Sequence, residues 1–358
     1  MSVYIIAEAG VNHNGSVESA RQLIDIASES GADAVKFQTF RTSELLIPDT
    51  KKAPYQSNRT SSSETQYEMI QKYELSFEAF QYLCDYSKIR DIDFLSTPFD
   101  VPSLDFLVSG LDLRTIKIPS GDITNIPFLL DISRKAESIL LSTGMSSLGE
   151  IEMALSVLAY GFLNPSTSIP NSQDLENVYS SSIGHQTLKE RVTLLHCTTE
   201  YPAPFDSVNL RAIHTLRSAF GLPVGYSDHT EGINIPIAAV ALGSTVIEKH
   251  FTLDKSLPGP DHSASLDPSE LRAMCNSIRQ IELSLGTGLK FPTCIEHKNK
   301  LAIRKSIVAS QPIKEGDIFT LDNLTCKRPG NGIPPAMLWS LLGTRSTKAY
   351  RSNELIDS

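Results

Sequence analysis

Two lysines and two histidines occupy places where charged residues are unusual. Lys36 and Lys117 interrupt short apolar segments, and a buried ammonium group requires a counter-ion or an anionic ligand. His229 follows a third apolar segment and His250 ends a fourth. The lysines could bind an anion. The histidines could hold a divalent ion, because two imidazoles with water and a substrate oxygen suit Mn²⁺, Mg²⁺, Co²⁺ or Zn²⁺.

Hydroxyl and carboxylate side chains lie in or just after segments of the same kind. They are Glu8, Thr97, Ser120, Asp122, Ser142, Ser227 and Glu248. Hydroxyl donors beside two ammonium groups could bind a phosphate or a carboxylate. Other interpretations stay open: the lysines could form structural ion pairs with Glu8 or Asp122, or one lysine could be a Schiff-base nucleophile. The two histidines could likewise form a structural hydrogen-bonding pair.

The segments that carry these residues alternate with amphipathic ones. Strands are predicted at 4–9, 34–39, 93–97, 115–119, 139–143, 192–197, 223–227 and 245–250. Helices are predicted at 17–29, 76–90, 101–109, 126–136, 147–160, 208–219, 232–242 and 268–284. Strands of nearly continuous apolar character are typical of parallel sheets covered on both faces. Eight such units predict an α/β fold, a (β/α)₈ TIM barrel. A doubly wound sheet is disfavoured, because Gly10 and Gly15 lack the dinucleotide-binding spacing.

A (β/α)₈ barrel would gather these side chains at one opening, because active sites of this fold lie at the carboxyl ends of the strands. Side-chain alternation puts Lys36 and Gln38 on one face of their strand. It also puts Glu248 and His250 on one face, with Lys249 opposite. Adjacent strands are about 4.8 Å apart, so His229 and His250 could share one ion.

Three regions depart from the alternation. Residues 43–75 are predicted as a long polar loop, a lid or substrate loop. Residues 161–190, rich in serine, proline and asparagine, are predicted as a mobile surface excursion without a catalytic role. After a catalytic domain at 1–286, residues 287–303 are predicted as a linker and 304–358 as a small, loop-rich domain. A domain of that size needs to pack on its own barrel or on a partner subunit.

Composition narrows the classes of function. The net charge of −9 disfavours nucleic acid as a partner, because a phosphate backbone requires a basic face. Apolar runs are shorter than the roughly 20 residues of a membrane helix, so no membrane association is expected. The first residues lack the features of a signal peptide. Five scattered cysteines without a CxxC motif fit reduced thiols. These features together predict a cytoplasmic protein.

Several stretches resemble the sialic acid synthase family, the phosphoenolpyruvate-dependent nonulosonate synthases. The matching stretches are 5–15, 35–39, 96–99, 117–122, 141–145, 195–198, 225–230, 248–252 and 258–261. The tail 304–358, including the segment 327–332, resembles the antifreeze-like (SAF) domain of that family. Stretches 198–204 and 260–262 are most similar to those of its legionaminic acid synthases. Some neuraminate synthases have asparagine where this chain has Thr199.

The resemblance implies a reaction and a set of site residues. The family condenses phosphoenolpyruvate with the open aldehyde form of an N-acylated mannosamine-type sugar, giving a nine-carbon 2-keto acid and phosphate. The implied ligands of phosphoenolpyruvate are Lys36, Thr97, Lys117, Ser120, Ser142, Thr199 and Ser227. The implied metal ligands are His229 and His250, with Mn²⁺ expected and Mg²⁺ or Co²⁺ as alternatives. The predicted catalytic residues are Glu8, Asp122, Lys36 and Lys117, with Glu8 positioning or deprotonating water.

The sugar acceptor has its own predicted ligands. They are Tyr201, Glu248, Asp261 and Arg328. The resemblance implies a domain-swapped homodimer, in which Arg328 of one chain enters the barrel of the other. A legionaminic enzyme would take 2,4-diacetamido-2,4,6-trideoxymannose, which lacks the 6-hydroxyl group. A Schiff-base aldolase and a non-catalytic sugar-binding protein remain the alternative functions.

Overall fold

The computed structural model describes residues 2–52, 64–166 and 168–357. Residues 53–63 of the predicted polar loop and Thr167 of the predicted insertion lie outside this description. The chain divides into two compact units, Met1–Gly286 and Thr287–Ser358. Within the described ranges, every helix is too short or too polar to cross a membrane.

Eight parallel strands form the sheet of the first unit. They are β1 Tyr4–Gly10, β2 Ala34–Thr39, β3 Asp93–Pro98, β4 Thr115–Ile118, β5 Ser138–Ser142, β6 Val192–Cys197, β7 Val224–Asp228 and β8 Val246–His250. Their order is β3-β2-β1-β8-β7-β6-β5-β4, and β3 also contacts β4, which closes the sheet into a barrel. The predicted (β/α)₈ barrel is therefore confirmed.

A helix follows each strand and packs on the outside of the barrel. The outer helices are Val17–Ser30, Phe77–Ile89, Val101–Asp105, Ile126–Lys135, Leu148–Leu163, Ala212–Phe220, Asn234–Ala241 and Pro268–Leu285. The third continues as a π-helical turn, Phe106–Gly110, where the sequence predicts one uninterrupted helix. Side-chain caps begin most of them; Asp267, for example, accepts hydrogen bonds from the Ser269 and Glu270 amides.

The barrel interior has an apolar layer below a polar one. Near the start of the strands, inward side chains form a buried group: Ile6, Ala34, Leu95, Leu140, Leu195 and Val246. Two residues further along β1, β2 and β8, the inward side chains are Glu8, Lys36 and Glu248. The apolar layer therefore lies directly below the charged layer inside the barrel.

Two predicted irregular regions contain helices. The 43–75 region holds the helices Thr42–Leu45 and Gln66–Gln71. The prediction of a mobile excursion at 161–190 is wrong, because this region forms the helices Ser172–Tyr179 and Ser182–Arg191. Leu175, Val178 and Tyr179 pack on the barrel core, which holds the insertion in place.

The second unit is small and has its own core. It contains the antiparallel pair β9 Ser306–Ala309 and β10 Leu324–Lys327 and the helices Cys294–Ile303 and Leu338–Leu341. Its buried side chains include Ile307, Phe319, Leu324 and Tyr350. The segment predicted as a linker, 287–303, ends in the first of these helices, where the Leu301 carbonyl accepts a hydrogen bond from the Gly330 amide at 2.7 Å.

Candidate active site

A cavity of about 310 Å³ opens at the carboxyl ends of the barrel strands. Its lining includes all but two of the predicted site residues. The predicted residues that line it are Glu8, Lys36, Thr97, Lys117, Ser120, Ser142, Thr199, Tyr201, Ser227, His229, Glu248, His250 and Asp261. Side chains that are far apart in the sequence therefore meet at one opening.

Strand alternation explains which side chains point inward. On β2, Lys36 and Gln38 line the cavity, whereas Phe37 between them packs outward, stacking on Phe94 with ring centroids 5.5 Å apart. On β8, Glu248 and His250 line the cavity and Lys249 points away from it. The same period of two predicts these faces directly from the sequence.

Two lysines and two glutamates form a buried charge cluster at the base of the cavity. The Lys36 ammonium lies 2.7 Å from Glu8 Oε2 and 3.6 Å from Glu248 Oε2, and it donates to Thr97 Oγ1 at 3.1 Å. The Lys117 ammonium donates to Glu248 Oε1 at 3.2 Å. All four charged groups are at most 5 % exposed. With each group ionised, the cluster is neutral before any ligand enters.

The two glutamates of the cluster have opposite pKa shifts. Burial raises the pKa of Glu8 to about 7, and this effect outweighs the attraction of Lys36; the charge of Glu248 adds to it. Burial would also raise the pKa of Glu248, but Lys117 and Lys36 together hold it below its ordinary value. Near neutral pH, Glu8 can therefore exchange a proton while Glu248 stays ionised. Such a difference between two neighbouring acids is typical of acid–base sites.

Four buried polar atoms in this cavity have no hydrogen-bond partner. They are Glu8 Oε2, Glu248 Oε2, Thr199 Oγ1 and His250 Nδ1. The two carboxylate oxygens both have the Lys36 ammonium as an ionic neighbour, at 2.7 Å from Glu8 Oε2 and 3.6 Å from Glu248 Oε2. Buried polar groups are normally satisfied, so these four atoms indicate a place for a polar ligand.

The two histidines lie side by side next to an aromatic ring. The ring centroids of His229 and His250 are 5.6 Å apart, and the Tyr201 ring lies 4.1 Å from that of His229. His229 Nδ1 donates to the Thr198 carbonyl at 2.6 Å, so its Nε2 keeps a free lone pair. Burial lowers the pKa of His229 to about 4. Burial and the neighbouring His229 hold the pKa of His250 well below its ordinary value.

This pair fits a divalent ion on the chemistry of its donors. Both imidazoles are neutral at physiological pH, as metal ligands must be, and His250 Nδ1 is buried without a hydrogen-bond partner. Asp261 Oδ2 lies 3.9 Å from that nitrogen. Among the described residues, no group of three or more His, Cys, Asp or Glu side chains is arranged to hold a metal. An ion bound by the two imidazoles would keep coordination positions for water and substrate.

Hydroxyl groups surround one side of the charge cluster. Ser227 Oγ donates to Glu248 Oε1 at 2.7 Å, and Ser120 Oγ accepts from the Gly144 amide at 3.0 Å. Gly144 permits a close approach, because a Cβ atom there would lie 2.4 Å from Thr199 Oγ1 and 2.7 Å from Ser120 Oγ. Glycine at this position thus keeps two predicted ligand hydroxyls near each other.

The remaining side of the cavity is mainly apolar, with Gln66 as a polar exception. Its apolar lining residues come from the loops and helices that follow β1, β2 and β3, and they are Val11, Phe40, Leu45, Leu46, Ile70 and Phe99. We call these six residues the apolar wall. Buried Met69 and Tyr73 pack behind it. A cavity with a charged base and an apolar wall suits a ligand that is itself part anionic and part apolar.

Two predicted site residues lie outside the lining. Asp122 belongs to a single 3₁₀ turn, Ser120–Asp122, directly after β4, and its carboxylate accepts a hydrogen bond from Asn125 at 3.1 Å. The turn leaves Ser120 in the cavity lining but not Asp122, so the geometry does not support Asp122 as a partner of Glu8. Arg328 belongs to the second unit, directly after β10, and is exposed there.

Several lining residues were not predicted as site residues. Gln38 donates from Nε2 to Glu8 Oε1 at 3.2 Å, and its place on the face of Lys36 was the signal for it. Gln66 and Ile70 lie on a helix within the predicted polar loop. The signal for that helix was the capping pair Thr65 and Glu68. The side chain of each residue accepts a hydrogen bond from the backbone amide of the other.

A charged cluster and a neutral histidine pair at the mouth of a (β/α)₈ barrel define a barrel enzyme with a small appended domain. The NeuB family model matches residues 23–290, and the SAF domain model matches residues 304–357. The chain belongs to the NeuB family and is an enzyme of that family. The predicted resemblance to sialic acid synthases and the predicted SAF domain are thereby confirmed.

Individual relatives agree with this assignment. The chain is 50 % identical over 352 residues to an N,N'-diacetyllegionaminic acid synthase of Campylobacter jejuni, covering 98 % of each chain. It is 44 % identical over 345 residues to the Legionella pneumophila protein of the same name, covering 96 % of this chain and 90 % of that one. A crystal structure of N-acetylneuraminic acid (sialic acid) synthetase from Leptospira borgpetersenii superposes with a TM-score of 0.67 at 33 % identity, covering 84 % and 90 % of the two chains.

Proposed function

We propose that this enzyme condenses phosphoenolpyruvate with the aldehyde form of an N-acylated, deoxygenated mannosamine, giving a nine-carbon 2-keto acid of the legionaminic type and phosphate. The observation that carries the proposal is the buried cluster of Glu8, Lys36, Lys117 and Glu248 beside the paired imidazoles. An anion binds where ammonium groups and hydroxyls converge, and an aldehyde is activated where an electrophile can reach its oxygen.

The anionic substrate would bind to the two lysines and the hydroxyls around them. Lys36 and Lys117 are buried, and their carboxylate partners Glu8 and Glu248 hold the ammonium groups in place as donors for a phosphate. Thr97, Ser120, Ser142, Thr199 and Ser227 add hydroxyl groups to the same cavity. Loss of one donor to charge that develops on phosphate typically costs about 3 kcal/mol, or ~100-fold in rate.

A divalent ion, Mn²⁺ by proposal, would be held by His229 and His250. When bound, it would polarise the aldehyde oxygen of the acceptor as a Lewis acid. The hydrogen bond from His229 Nδ1 to the Thr198 carbonyl fixes the tautomer that presents Nε2. Tyr201 and Asp261, which line the cavity beside the histidines, would bind sugar hydroxyls together with Glu248.

Carbon–carbon bond formation joins C3 of phosphoenolpyruvate to the aldehyde carbon, and the aldehyde oxygen takes a proton. Water adds to C2, and the tetrahedral intermediate loses phosphate by cleavage of the C2–O bond. Glu8 would position this water and accept its proton. A carboxyl group whose pKa is raised to about 7 is suited to that task at neutral pH.

The apolar wall supports a deoxygenated, N-acylated acceptor. Burial of the methyl groups of N-acetyl substituents and of a 6-deoxy carbon stabilises the complex by about 0.8 kcal/mol for each carbon group removed from water. A sugar hydroxyl against Leu45, Ile70 or Phe99 would lose its water without a partner in return. The two relatives named as N,N'-diacetyllegionaminic acid synthases favour the same acceptor class.

The proposal includes a homodimer in which Arg328 of one chain contacts the sugar in the other chain's barrel. Exposed apolar side chains on 287–303, among them Leu289, Phe291 and Ile295, support packing of this segment on another surface.

Co-expression of Glu8→Gln and Arg328→Ala chains tests the exchange of Arg328 between the two chains. A swapped dimer rebuilds one intact site per mixed dimer, about a quarter of the wild-type activity in a random mixture. Activity no higher than that of either variant alone would reject the swap.

Cellular location follows as a further part of the proposal. All five cysteines are free, with Cys84, Cys197 and Cys275 buried. Free thiols of this kind support a reducing compartment, the cytoplasm.

The decisive assay measures inorganic phosphate and product mass with phosphoenolpyruvate, Mn²⁺ and a panel of acceptors. The panel contains N-acetylmannosamine, its 6-phosphate and 2,4-diacetamido-2,4,6-trideoxymannose. We expect phosphate release with the last acceptor, and loss of activity after chelation. A covalent lysine adduct trapped by borohydride would instead indicate a Schiff-base aldolase, and absence of phosphate release with every acceptor would indicate a sugar-binding protein.

A further inference from the structure

A second buried ion pair lies directly behind the two histidines, on the outer face of β7 and β8. Lys249 Nζ lies 2.6 Å from Asp228 Oδ2, and both side chains are completely buried. The two residues are register partners in the sheet. Each is the chain neighbour of a cavity histidine, Asp228 of His229 and Lys249 of His250. The pair takes no part in the cavity lining.

Hydrogen bonds from this pair enclose His229 on both sides. Asp228 Oδ1 accepts from the Thr230 amide at 3.0 Å, and Oδ2 accepts from the Thr230 hydroxyl at 3.1 Å. The Lys249 ammonium donates to the Thr230 carbonyl. Tyr226 donates its hydroxyl proton to Asp228 Oδ1 at 2.9 Å. The backbone before and after His229 is therefore tied to a side chain of β8.

A role in stability alone does not account for a charge pair at this place. The outward residues in register with Lys249 on the next two strands are apolar, Ala7 on β1 and Val35 on β2. A buried ion pair can often be replaced by apolar residues without loss of stability, because the desolvation of two charges offsets their attraction. The ionic network instead fixes the orientation of the backbone at the end of β7. It fixes the chain that leaves β7 relative to β8, and those two strands carry the imidazoles.

We propose that Lys249 and Asp228 are positioning residues that hold His229 at the separation from His250 needed for a shared ion. The inference rests on the metal-binding role proposed above. Neither residue touches the cavity, so they act only through the backbone of the two strand ends. Changes to residues that orient metal ligands typically weaken metal binding by about 10–100-fold.

The test compares the double variant Asp228→Asn/Lys249→Met with the wild-type protein. The double variant leaves no isolated buried charge, and we expect it to fold. Each protein is first freed of metal with a chelator, which is then removed. Titration with Mn²⁺ alone should give a Kd for the double variant that is about tenfold higher than that of the wild-type protein. The second measurement is the imidazole ¹H–¹⁵N spectrum without metal. The His229 Hδ1 proton, held by the Thr198 carbonyl, should shift or disappear in the double variant.

The matched control is Arg279→Met, at the opposite end of the barrel. Arg279 Nη2 lies 2.6 Å from Asp33 Oδ2, and its Nη1 donates to the Val3 carbonyl at 2.7 Å. This variant also breaks an ion pair between barrel elements. It should lower thermal stability while the Mn²⁺ Kd and the His229 signal stay unchanged.

Each outcome decides a separate claim. If the double variant matches the wild-type protein in both Kd and the His229 signal, the positioning role is refuted. If the wild-type protein binds no Mn²⁺, the proposed metal site falls, and the His229 signal alone then decides whether the pair positions that imidazole. If the double variant does not fold, Thr230→Val takes its place, since it removes one hydrogen bond to Asp228 from a nearly isosteric side chain. An unchanged His229 signal in Thr230→Val would then overturn the proposal.

Discussion

Replacement of Glu8 by glutamine should change catalysis and stability in opposite directions. Glu8 is buried 2.7 Å from the Lys36 ammonium, so a simple count of ion pairs predicts that Glu8→Gln destabilises the protein. The raised pKa predicts the opposite. A carboxyl whose pKa rises on folding binds its proton more tightly in the folded state, so its charged form opposes folding.

The magnitude follows from the two pKa values. Folding raises the pKa of Glu8 from 4.5 to about 7, which corresponds to about 3 kcal/mol. Stability is therefore lost as the pH rises from 4.5 to 7, and the full loss applies above pH 7. Glutamine cannot ionise, so Glu8→Gln should raise the unfolding temperature at pH 8 by several degrees and have little effect at pH 5.

Turnover should change in the other direction. Loss of a general base typically lowers the rate about 10²–10⁴-fold. In the wild-type enzyme, kcat/KM should fall about tenfold for each pH unit below 7, because Glu8 becomes protonated. Mn²⁺ binding should stay constant over this range, because both histidines are neutral well above their lowered pKa values.

The assays are phosphate release and thermal unfolding at pH 5 and pH 8, with isothermal titration of phosphoenolpyruvate and Mn²⁺. Glu18→Gln is the matched control, because Glu18 forms an exposed ion pair with Arg21, 2.7 Å away, on the outer helix Val17–Ser30. It should leave turnover unchanged and give no gain in stability at pH 8. Near-normal turnover in Glu8→Gln, or a lower unfolding temperature at pH 8, would refute the reasoning.

Three further changes test other parts of the cavity. Gly144→Ala places a methyl group against the Thr199 hydroxyl and should raise the KM for phosphoenolpyruvate about tenfold while the fold is kept; an unchanged KM would show that these hydroxyls do not bind it. Ile70→Thr makes the apolar wall more polar and should lower the preference for a 6-deoxy over a 6-hydroxy acceptor about tenfold, measured as the ratio of kcat/KM values; a constant ratio would place the acceptor elsewhere. Lys117→Met leaves Glu248 without its nearer ammonium partner and should lower kcat about 100-fold; activity within a few-fold of wild type would exclude Lys117 from phosphate binding.

The barrel and most of its cavity were predictable because two periodicities act together. A strand alternates its faces every residue, so Lys36 on an apolar strand had to point inward or carry a large desolvation cost. Eight strand–helix units then bring all carboxyl ends to one opening. Residues as distant as Lys36 and Glu248 consequently approach within 3.6 Å, as the sequence pattern indicates.

Three of the helices that the sequence did not predict share one reason. The helices that begin at Gln66, Ser172 and Cys294 are short and polar, so hydrophobic periodicity gives little sign of them. Each nevertheless carries a capping box, in which the N-cap side chain and an acidic residue three positions later exchange hydrogen bonds with backbone amides. These capping residues are the sequence signal for the three helices.

Asp122 shows the limit of assigning a side chain from its position after a strand. The residues after β4 enter a single 3₁₀ turn, and one residue of turn decides which side chain faces the cavity. Ser120 lines it and Asp122 does not. Strand periodicity ends where the strand ends, so residues just beyond a strand cannot be placed by alternation alone.

The central claim is that water attacks C2 of phosphoenolpyruvate in the cavity that contains Glu8. Phosphoenolpyruvate labelled with ¹⁸O at the bridging C–O–P oxygen tests it directly, with mass spectrometry of both products. The account predicts one labelled phosphate for each sugar acid formed, with the keto oxygen derived from solvent. Bridging ¹⁸O retained in the sugar acid would contradict it.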